Sequence, residues 1–344
     1  MRSSFLGTDL PIIQAPMAGV HLGALAAAVS AAGGLGSLPC AVLPTEGIAK
    51  EIEAITSRTG NPYNVNFFCH TPPAPDARRE AEWRRALAPY YREYEIDVER
   101  IPAGAGRAPF TEEAADVLEA FKPPIVSFHF GLPPEKLLAR VKAWGSRVFS
   151  SATTVEEALW LEAHGVDAVI AQGLEAGGHR GIFLSGDLTT QAGTFALLPQ
   201  VVAAVKIPVI AAGGIANAEG VAAALALGAS AVQVGTAFLL CNEATTSAVH
   251  RAALKSEGAR HTALTNVFTG RPARGIVNRL IRELGALNPA APEFPLATAA
   301  IAPLRAKAEA KGVGDFTSLW SGQNATGCRE VPAAELLAGL ATRL

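Results

Sequence analysis

The sequence predicts an α/β protein in which eight parallel strands, each followed by a helix, close into a (β/α)8 barrel of the TIM type. Short apolar runs closed by Gly, Pro or a small residue alternate with helical patterns, and parallel strands need such crossover helices. Eight such runs occur, and the fourth, fifth and sixth begin at residues 125, 147 and 168. This even spacing is typical of one strand–helix unit per step of a barrel.

The predicted strands all lie before residue 235. They are Ile12–Ala15, Gly34–Leu38, Asn64–Phe68, Ile125–Phe130, Arg147–Ser151, Ala168–Gln172, Pro208–Ala212 and Ala231–Val234. The helices between them carry their own start and stop signals. Thr153 and Thr154 each precede a glutamate by three residues, which is a capping-box pattern, and Gly165 can end that helix. Asn217 can cap the helix after the seventh strand.

Two long connections interrupt the regular spacing of strands and helices. The excursion Cys69–Pro124, between the third and fourth strands, contains a polar helix predicted at Ala77–Glu95, and the glycine-rich loop Gly173–Gln191 follows the sixth strand. Long loops in compact folds are usually functional or disordered, and the apolar Ile182–Leu184 inside this one favours function. We expect a barrel domain over 1–241, an added helical subdomain or lid over 242–330, and a closing helix within 331–344.

Composition limits the classes of partner. The chain has 344 residues with 29 basic and 31 acidic side chains, a net charge of −2. No basic cluster stands out, which argues against a nucleic-acid surface. Four cysteines lie far apart without metal-ligand spacing, so we expect free thiols and no metal.

A membrane location is not expected either. The uncharged stretch Ala222–Cys241 is long enough to cross a bilayer, but glycines and polar residues interrupt it, so we interpret it as buried barrel. The N-terminal residues contain no apolar run typical of a signal peptide. We therefore expect a cytoplasmic protein.

Glycines at the ends of the last two strands predict a phosphate site. Gly213 and Gly214 lead into the helix capped by Asn217, and Gly235 and Thr236 follow the eighth strand. Glycine allows backbone amides to approach an anion closely, and a helix N-terminus adds partial positive charge. The loops after strands seven and eight are the usual phosphate site of this barrel. Tight turns alone would explain either loop separately, whereas the pair favours a phosphate-bearing cofactor.

Two histidines are candidates for chemistry at the barrel mouth. His179 lies among Gly177, Gly178 and Gly181, so we expect few packing partners and a pKa near neutrality, suited to acid–base work. His129 ends the fourth strand within an apolar run and is equally explained as a core residue. Metal binding is not predicted for either.

Three amides lie at the ends of otherwise apolar strands. Gln172, Gln233 and Asn66 would be costly to bury without hydrogen-bond partners, so each is predicted to meet a polar ligand or backbone. The edge of a flavin ring offers such partners. No G-x-G-x-x-G loop followed by an acidic residue is present, so a dedicated nicotinamide-binding fold is not expected.

Taken together, these motifs resemble the nitronate monooxygenase family, formerly called 2-nitropropane dioxygenases, and its class I members in particular. The resemblance covers nearly the whole chain and rests on the segments IIQAPMAG, AGGLGSL, NVNFF, SFHFG, AQGLEAGGHRG, AAGGI, QVGTAFL and SLWSGQ. Parts of this set are shared with flavin-dependent enoyl-acyl carrier protein reductases, which also carry a GGH loop. The segments NVNFF, FHFG and SLWSGQ favour the nitronate enzymes.

The resemblance implies non-covalent FMN, O2 as electron acceptor, and oxidation of an alkyl nitronate such as propionate 3-nitronate to a carbonyl compound and nitrite. It implies His179 as the catalytic histidine, and His129 with His179 at the substrate. The residues implied to contact FMN are Pro16, Met17, Ala18, Gly19, Asn66, Gln172, Gly177, Gly178, Gly213, Gly214, Gln233, Val234, Gly235 and Thr236. One departure concerns Pro295–Lys307, which lacks the tyrosines that class I members carry near the substrate.

Two other functions remain open on the sequence. A flavin-dependent NAD(P)H reductase of an enoyl thioester or a quinone would use the same cofactor loops. A flavin-binding protein without turnover would also contain them. Both a monomer and a homodimer are compatible with the sequence, and so is either a protective or a catabolic role.

Overall fold

Eight parallel strands form the barrel in a computed structural model, which describes residues 4–101 and 107–344. Residues 102–106 of the predicted excursion, and 1–3 of the predicted barrel domain, lie outside the described residues. The barrel strands are β1 (Ile12–Gln14), β2 (Gly36–Pro39), β3 (Tyr63–Phe68), β4 (Ile125–His129), β5 (Arg147–Ala152), β6 (Ala168–Gln172), β8 (Val209–Ala212) and β9 (Ala231–Val234), and the two-residue strand β7 (Gly178–His179) lies outside the barrel. All eight predicted strands are confirmed, with ends that shift by at most two residues.

The barrel closes between its first two strands. The strand order is β1-β9-β8-β6-β5-β4-β3-β2, with every pair parallel. Leu35, just before β2, donates its backbone N–H to the Ile12 carbonyl at 2.9 Å, and Gln14 donates to the Leu35 carbonyl at 2.9 Å. These two bonds join the outermost strands, so the sheet has no long open edge.

Alternating side chains build two layers of core. Ile13, Phe149 and Ile170 belong to one buried cluster, whereas their chain neighbours Ile12 and Val148 belong to another. Successive residues of a strand point to opposite faces, so the first cluster fills the barrel and the second packs beneath the helices.

The helices begin and end near the residues predicted to cap or terminate them. They are α1 (Gly23–Ala31), α2 (Thr45–Thr56), α3 (Ala77–Glu93), α4 (Glu112–Phe121), α5 (Glu135–Ala143), α6 (Val155–Ala163), α7 (Thr194–Ala204), α8 (Ala218–Ala226), α9 (Ala248–Lys255), α10 (Arg279–Leu284), α11 (Ala297–Ala310) and α12 (Ala333–Leu340). Thr154 caps α6 and Asn217 caps α8 through their side chains, as predicted. Helix α12 packs against α1 and α8, which makes it the closing helix.

The two additions to the barrel form one body. Helix α3 of the excursion packs on α11, and Trp83, Tyr91, Leu304 and Phe316 share a second buried core. The region 242–330 is not wholly helical as predicted. It also contains the antiparallel strands β10 (Thr262–Thr265) and β11 (Ala273–Ile276). These strands are short, and the sequence pattern that marks them is weak.

The stretch Ala222–Cys241 divides into the end of α8, strand β9 and the 3-10 helix Thr236–Leu240, as expected for buried barrel. Across residues 4–101 and 107–344, no helix has both the length and the apolar character to cross a membrane.

Candidate active site

A cavity of about 1300 Å³, its open mouth included, lies at the carboxyl end of the barrel strands. Each of seven strands contributes a residue at or next to its end. These residues are Ala15, Phe68, His129, Ser151, Gln172, Ala212 and Gln233. Barrels of this kind place their sites at this face because the strand ends converge there.

Glycines form one end of the cavity. Gly213 and Gly214 adopt φ values of 120° and 73°, which side-chain-bearing residues rarely adopt. A Cβ on Gly213 would lie 2.8 Å from the Thr194 hydroxyl, whereas a Cβ on Gly178 would project into open space. The loop then enters α8, whose Asn217 side chain accepts from the Gly220 amide at 2.9 Å. Backbone amides and a capped helix N-terminus therefore face the cavity here.

A second loop and the C-terminal segment complete this glycine end. Gly235 begins the 3-10 helix at Thr236, and the Gly322 amide donates to the Thr236 hydroxyl at 2.9 Å. Asn324 donates its side-chain amide to the Gly214 carbonyl at 3.2 Å. Gly322 and Asn324 line the cavity. The tail motif SLWSGQ belongs to the family pattern, but the sequence alone predicts no site role for it.

The loop after β1 is fixed by a buried histidine that the sequence did not single out. His21 Nε2 accepts from the Met17 amide at 3.0 Å, and its Nδ1 faces the Leu22 carbonyl at 3.3 Å. Burial lowers the pKa of His21 to about 4, so the ring is neutral and can accept at Nε2. The position of Pro16–Ala18 against the cavity thus depends on His21.

His179 lines the same cavity among aromatic side chains, and we call its surroundings the histidine end and those of Gly213, Gly214 and Gly235 the glycine end. It belongs to strand β7, which pairs antiparallel with β11 so that His179 lies opposite Ala273. Its ring contacts four aromatic rings at centroid distances of 5.2–6.1 Å, those of Phe68, Phe130, Phe294 and Trp320. The expectation of few packing partners was wrong. Neighbouring glycines remove side chains along the chain, but distant segments supply others.

The charge state of His179 also differs from the expectation. Burial is the main cause that lowers its pKa well below the usual value, and the positive charges of Arg107 and Arg271 act in the same direction. The ring is therefore neutral at neutral pH rather than titrating there. The Thr269 hydroxyl oxygen lies 3.0 Å from His179 Nε2 and 3.4 Å from the Arg271 carbonyl, and its single proton can be donated to either acceptor. His179 Nδ1 has no hydrogen-bond partner among residues 4–101 and 107–344.

His129 and Gln172 line the cavity but hold the histidine loop with their polar atoms. Both donate to the His179 backbone carbonyl, from His129 Nε2 at 3.2 Å and from Gln172 Nε2 at 2.9 Å. Gln172 Oε1 accepts from the Gly181 amide at 2.8 Å, and His129 Nδ1 lies 3.0 Å from the Ser151 hydroxyl. Burial lowers the pKa of His129 to about 3, so it stays neutral. Their predicted roles toward substrate and cofactor stay predictions, because these polar groups already have partners.

Gln233 and Asn66 differ from Gln172. The Gln233 side chain lines the cavity and makes no hydrogen bond within residues 4–101 and 107–344. Asn66 donates to the Ser127 hydroxyl at 2.9 Å and to its carbonyl at 3.2 Å, which leaves the amide oxygen for another donor. These two amides remain available to a ligand.

Three arginines that the sequence did not identify hold the loop that carries His179. Arg180 is fully buried and donates to the carbonyls of Gly173 and Gln172 at 2.7 and 2.8 Å. Arg274 donates to the Leu174 carbonyl at 2.9 Å. Arg271 donates to the Ile182 carbonyl and stacks 4.0 Å from the centroid of the Phe130 ring. Guanidinium groups suit this task because each offers several donors in a fixed plane.

The structure brings most of the predicted site residues to one cavity. The cavity lining includes Pro16, Met17, Ala18, Asn66, His129, Gln172, Gly177, Gly178, His179, Gly213, Gly214, Gln233, Gly235 and Thr236. Val234 and Gly19 lie outside this lining. The Val234 side chain points into the core beneath the helices, as the alternation along β9 requires, and its carbonyl accepts from the Ala15 amide at 2.8 Å.

The fold and this cavity define a (β/α)8-barrel protein with a ligand-sized site at the carboxyl ends of its strands. The family model of nitronate monooxygenases matches residues 1–342. The chain is 45% identical to the nitronate monooxygenase of Paraburkholderia phytofirmans, covering 98% of this chain and 93% of that protein. It is also 45% identical to the nitronate monooxygenase of Pseudomonas aeruginosa, over 98% and 97% of the two chains.

Among solved structures, a nitroalkane oxidase from Streptomyces ansochromogenes superposes with a TM-score of 0.88 at 41% identity, covering 98% of this chain and 96% of that one. The chain belongs to the nitronate monooxygenase family. It is therefore a flavin-dependent oxidoreductase that acts on nitro compounds.

Proposed function

We propose that this protein uses FMN to oxidise alkyl nitronates with O2, releasing a carbonyl compound and nitrite, and that propionate 3-nitronate is one such substrate. The observation that carries the proposal is the environment of His179. A neutral imidazole lines the cavity, and the charged groups that act on it are Arg107 and Arg271, with no carboxylate among them. Such a site favours an anionic substrate over a neutral one.

The residues present fit FMN. The backbone at Gly213, Gly214 and Gly235 would hold the phosphate, because two helical N-termini meet there and no Cβ narrows the cradle. Gln233 and the Asn66 amide oxygen would bind the polar edge of the ring, since neither group has a hydrogen-bond partner among the residues that the structure describes. Bound FMN would accept the electrons withdrawn from the substrate and return them to O2.

His179 would orient the substrate beside the ring. In the tautomer that suits an anion, Nε2 accepts from the Thr269 hydroxyl at 3.0 Å, and the Nδ1 N–H is the group left to donate to a ligand. A depressed pKa makes this imidazole a weak base, and a weak base removes a proton from a neutral nitroalkane inefficiently. A nitronate has already lost that proton. The neutral ring then only has to position the anion, while Arg107 and Arg271 supply favourable potential.

The aromatic side chains around His179 would exclude water from the reacting end. Phe68, Phe130, Phe294 and Trp320 surround the imidazole and leave an apolar space for the alkyl part of the substrate. A water-poor surrounding strengthens the electrostatic interactions made there.

The direct test is an aerobic assay of the FMN-loaded protein with propionate 3-nitronate and no NAD(P)H. We expect oxygen uptake and stoichiometric nitrite, and loss of both in His179→Asn at unchanged FMN content. Absence of oxygen uptake in FMN-loaded wild type would refute the proposal. Anaerobic addition of NADH or NADPH separates the reductase alternative, because rapid bleaching of the flavin would support a reductase. We expect no rapid bleaching.

A further inference from the structure

A small second cavity adjoins the large one, and Arg107 lines both of them. Arg305 and three hydroxyl-bearing residues, Thr269, Thr298 and Ser318, contribute to the lining of the second cavity. Thr269 is the residue whose hydroxyl lies 3.0 Å from His179 Nε2. The second cavity therefore begins directly behind the imidazole contact.

Positive charge in the second cavity is not compensated by the protein. Neither Arg107 nor Arg305 forms a salt bridge within residues 4–101 and 107–344. Arg107 Nη1 is buried and has no hydrogen-bond partner, and the same is true of the Thr298 hydroxyl. Burial is the main cause that lowers the pKa of Arg107 to about 10, and the charge of Arg305 adds to it. No acidic group offsets these two causes.

A buried guanidinium without a partner is costly, and a small anion would satisfy it. The available donors suit a carboxylate or a similar oxyanion, which can accept from a planar guanidinium and a hydroxyl together. The ring of Phe294, 5.7 Å from the Arg107 guanidinium carbon, covers one face of the group. Because Arg107 lines both cavities, its side chain lies between the His179 surroundings and the second cavity.

We propose that Arg107, Thr298 and Arg305 form an anion site that holds a second negative group of the substrate, such as a carboxylate at the far end of a nitronate. This inference rests on the proposed function for the identity of the substrate, but not for the existence of the site. Arg107 would then be a specificity-determining residue, which selects substrates with two charged ends over those with an alkyl tail.

The test compares two substrates of the same chain length. Propionate 3-nitronate carries a carboxylate where propyl 1-nitronate carries a methyl group. In Arg107→Met, which keeps the aliphatic stem, we expect kcat/KM for the carboxylated substrate to fall about 30-fold, mainly through KM. For propyl 1-nitronate, which loses only the favourable potential that Arg107 adds at the nitronate end, we expect a smaller loss of about fivefold. Arg107→Lys should lie between wild type and Arg107→Met, and the exposed Arg260→Met serves as the control.

An equal loss for both substrates, or no loss for the carboxylated one, would overturn the role of Arg107 in substrate choice. A binding measurement tests the site without turnover. Acetate should raise the melting temperature of wild type saturably, relative to chloride at equal ionic strength, and should not do so in Arg107→Met. If acetate binding depends on Arg107 while substrate preference does not, the site holds a free anion instead.

Absence of both the acetate effect and the substrate preference would overturn the anion site altogether. If the proposed function is wrong but the anion site exists, neither nitronate will be turned over, while acetate will still bind. FMN content of each variant shows whether it has folded.

Discussion

The two ends of the active cavity are built by different means. The glycine end, around Gly213, Gly214 and Gly235, consists of backbone amides and helix N-termini, and no charged side chain from the described residues lines it. The histidine end consists of side chains, and its arginines lie far apart in the chain. A site made of backbone depends on local turns, whereas one made of side chains depends on tertiary packing. The two ends should therefore respond independently to substitution.

The largest expected effect comes from removing the imidazole at the histidine end. His179→Asn should lower kcat/KM for a nitronate by about 100-fold or more, because the group that orients the anion is lost. FMN affinity should stay within about threefold of wild type, since the glycine end is untouched. Steady-state oxygen uptake and fluorescence titration with FMN measure the two quantities. A parallel loss of FMN would show that the two ends are not independent.

The complementary substitution tests the glycine end. Gly214→Ala places a Cβ at φ 73°, and Gly312 has the same φ with no atom within 4 Å of the place a Cβ would occupy. Both substitutions should destabilise the fold by about 1 kcal/mol, because alanine is strained at positive φ. Only Gly214→Ala should also weaken FMN binding, by about tenfold. Equal FMN affinity in the two variants would remove Gly214 from the phosphate cradle.

Support of the histidine loop can be tested through Arg180. Arg180→Met removes the guanidinium donors to the carbonyls of Gly173 and Gln172, so we expect a loss of about 3 kcal/mol in the free energy of unfolding. The turnover rate should fall about tenfold because His179, the next residue, loses its support. The exposed Arg343→Met should change stability by less than about 0.5 kcal/mol. Unfolding in urea, with FMN saturating, provides the measurement.

Acidic pH should lower the stability of the protein through buried histidines at both ends of the cavity. Burial lowers the pKa of His21 to about 4 and of His129 to about 3, below the usual value of 6.5. Between pH 6.5 and 4 the unfolded chain binds more protons, so the free energy of unfolding falls as pH falls. Each such histidine contributes up to about 1.4 kcal/mol per pH unit in that window. Urea unfolding at pH 7.5, 6.5 and 5.5 checks this.

The pH series is run on wild type and on a variant that lacks one of the buried histidines. His129→Gln should reduce the slope. A pH-independent free energy of unfolding between pH 7.5 and 5.5 would contradict the assignment of these histidines as buried and neutral.

The contrast between the two ends also explains what the sequence could predict. The barrel and its glycine end follow from local signals: strand spacing, Asn217 as a cap, and glycines at the last two strand ends. The roles of His21, Arg180 and Arg271 could not be inferred, because no local sequence pattern indicates which distant residue a buried polar side chain will contact. His179 is recognisable in the sequence as a candidate site residue, but its neutral state depends on the positions of Phe294, Trp320 and Arg107.

The excursion after β3 and the region 242–330 also show that local features are predictable from the sequence and distant pairings are not. Helix α3 was predicted within two residues, because a polar helix with a capping Asp76 is a local feature. Strand β11 was not predicted, because it exists through its pairing with β10 and with the two residues of β7. That pairing is what places the subdomain against the histidine loop.

The central claim is that the histidine end binds an anion through a neutral imidazole and nearby arginines, without needing a strong base. The most direct measurement compares kcat/KM of FMN-loaded protein for freshly prepared propyl 1-nitronate and for 1-nitropropane at pH 7.5. We predict that the nitronate exceeds the nitroalkane by about 100-fold or more. Equal values for the two would mean that His179 removes a proton efficiently, and would contradict this account.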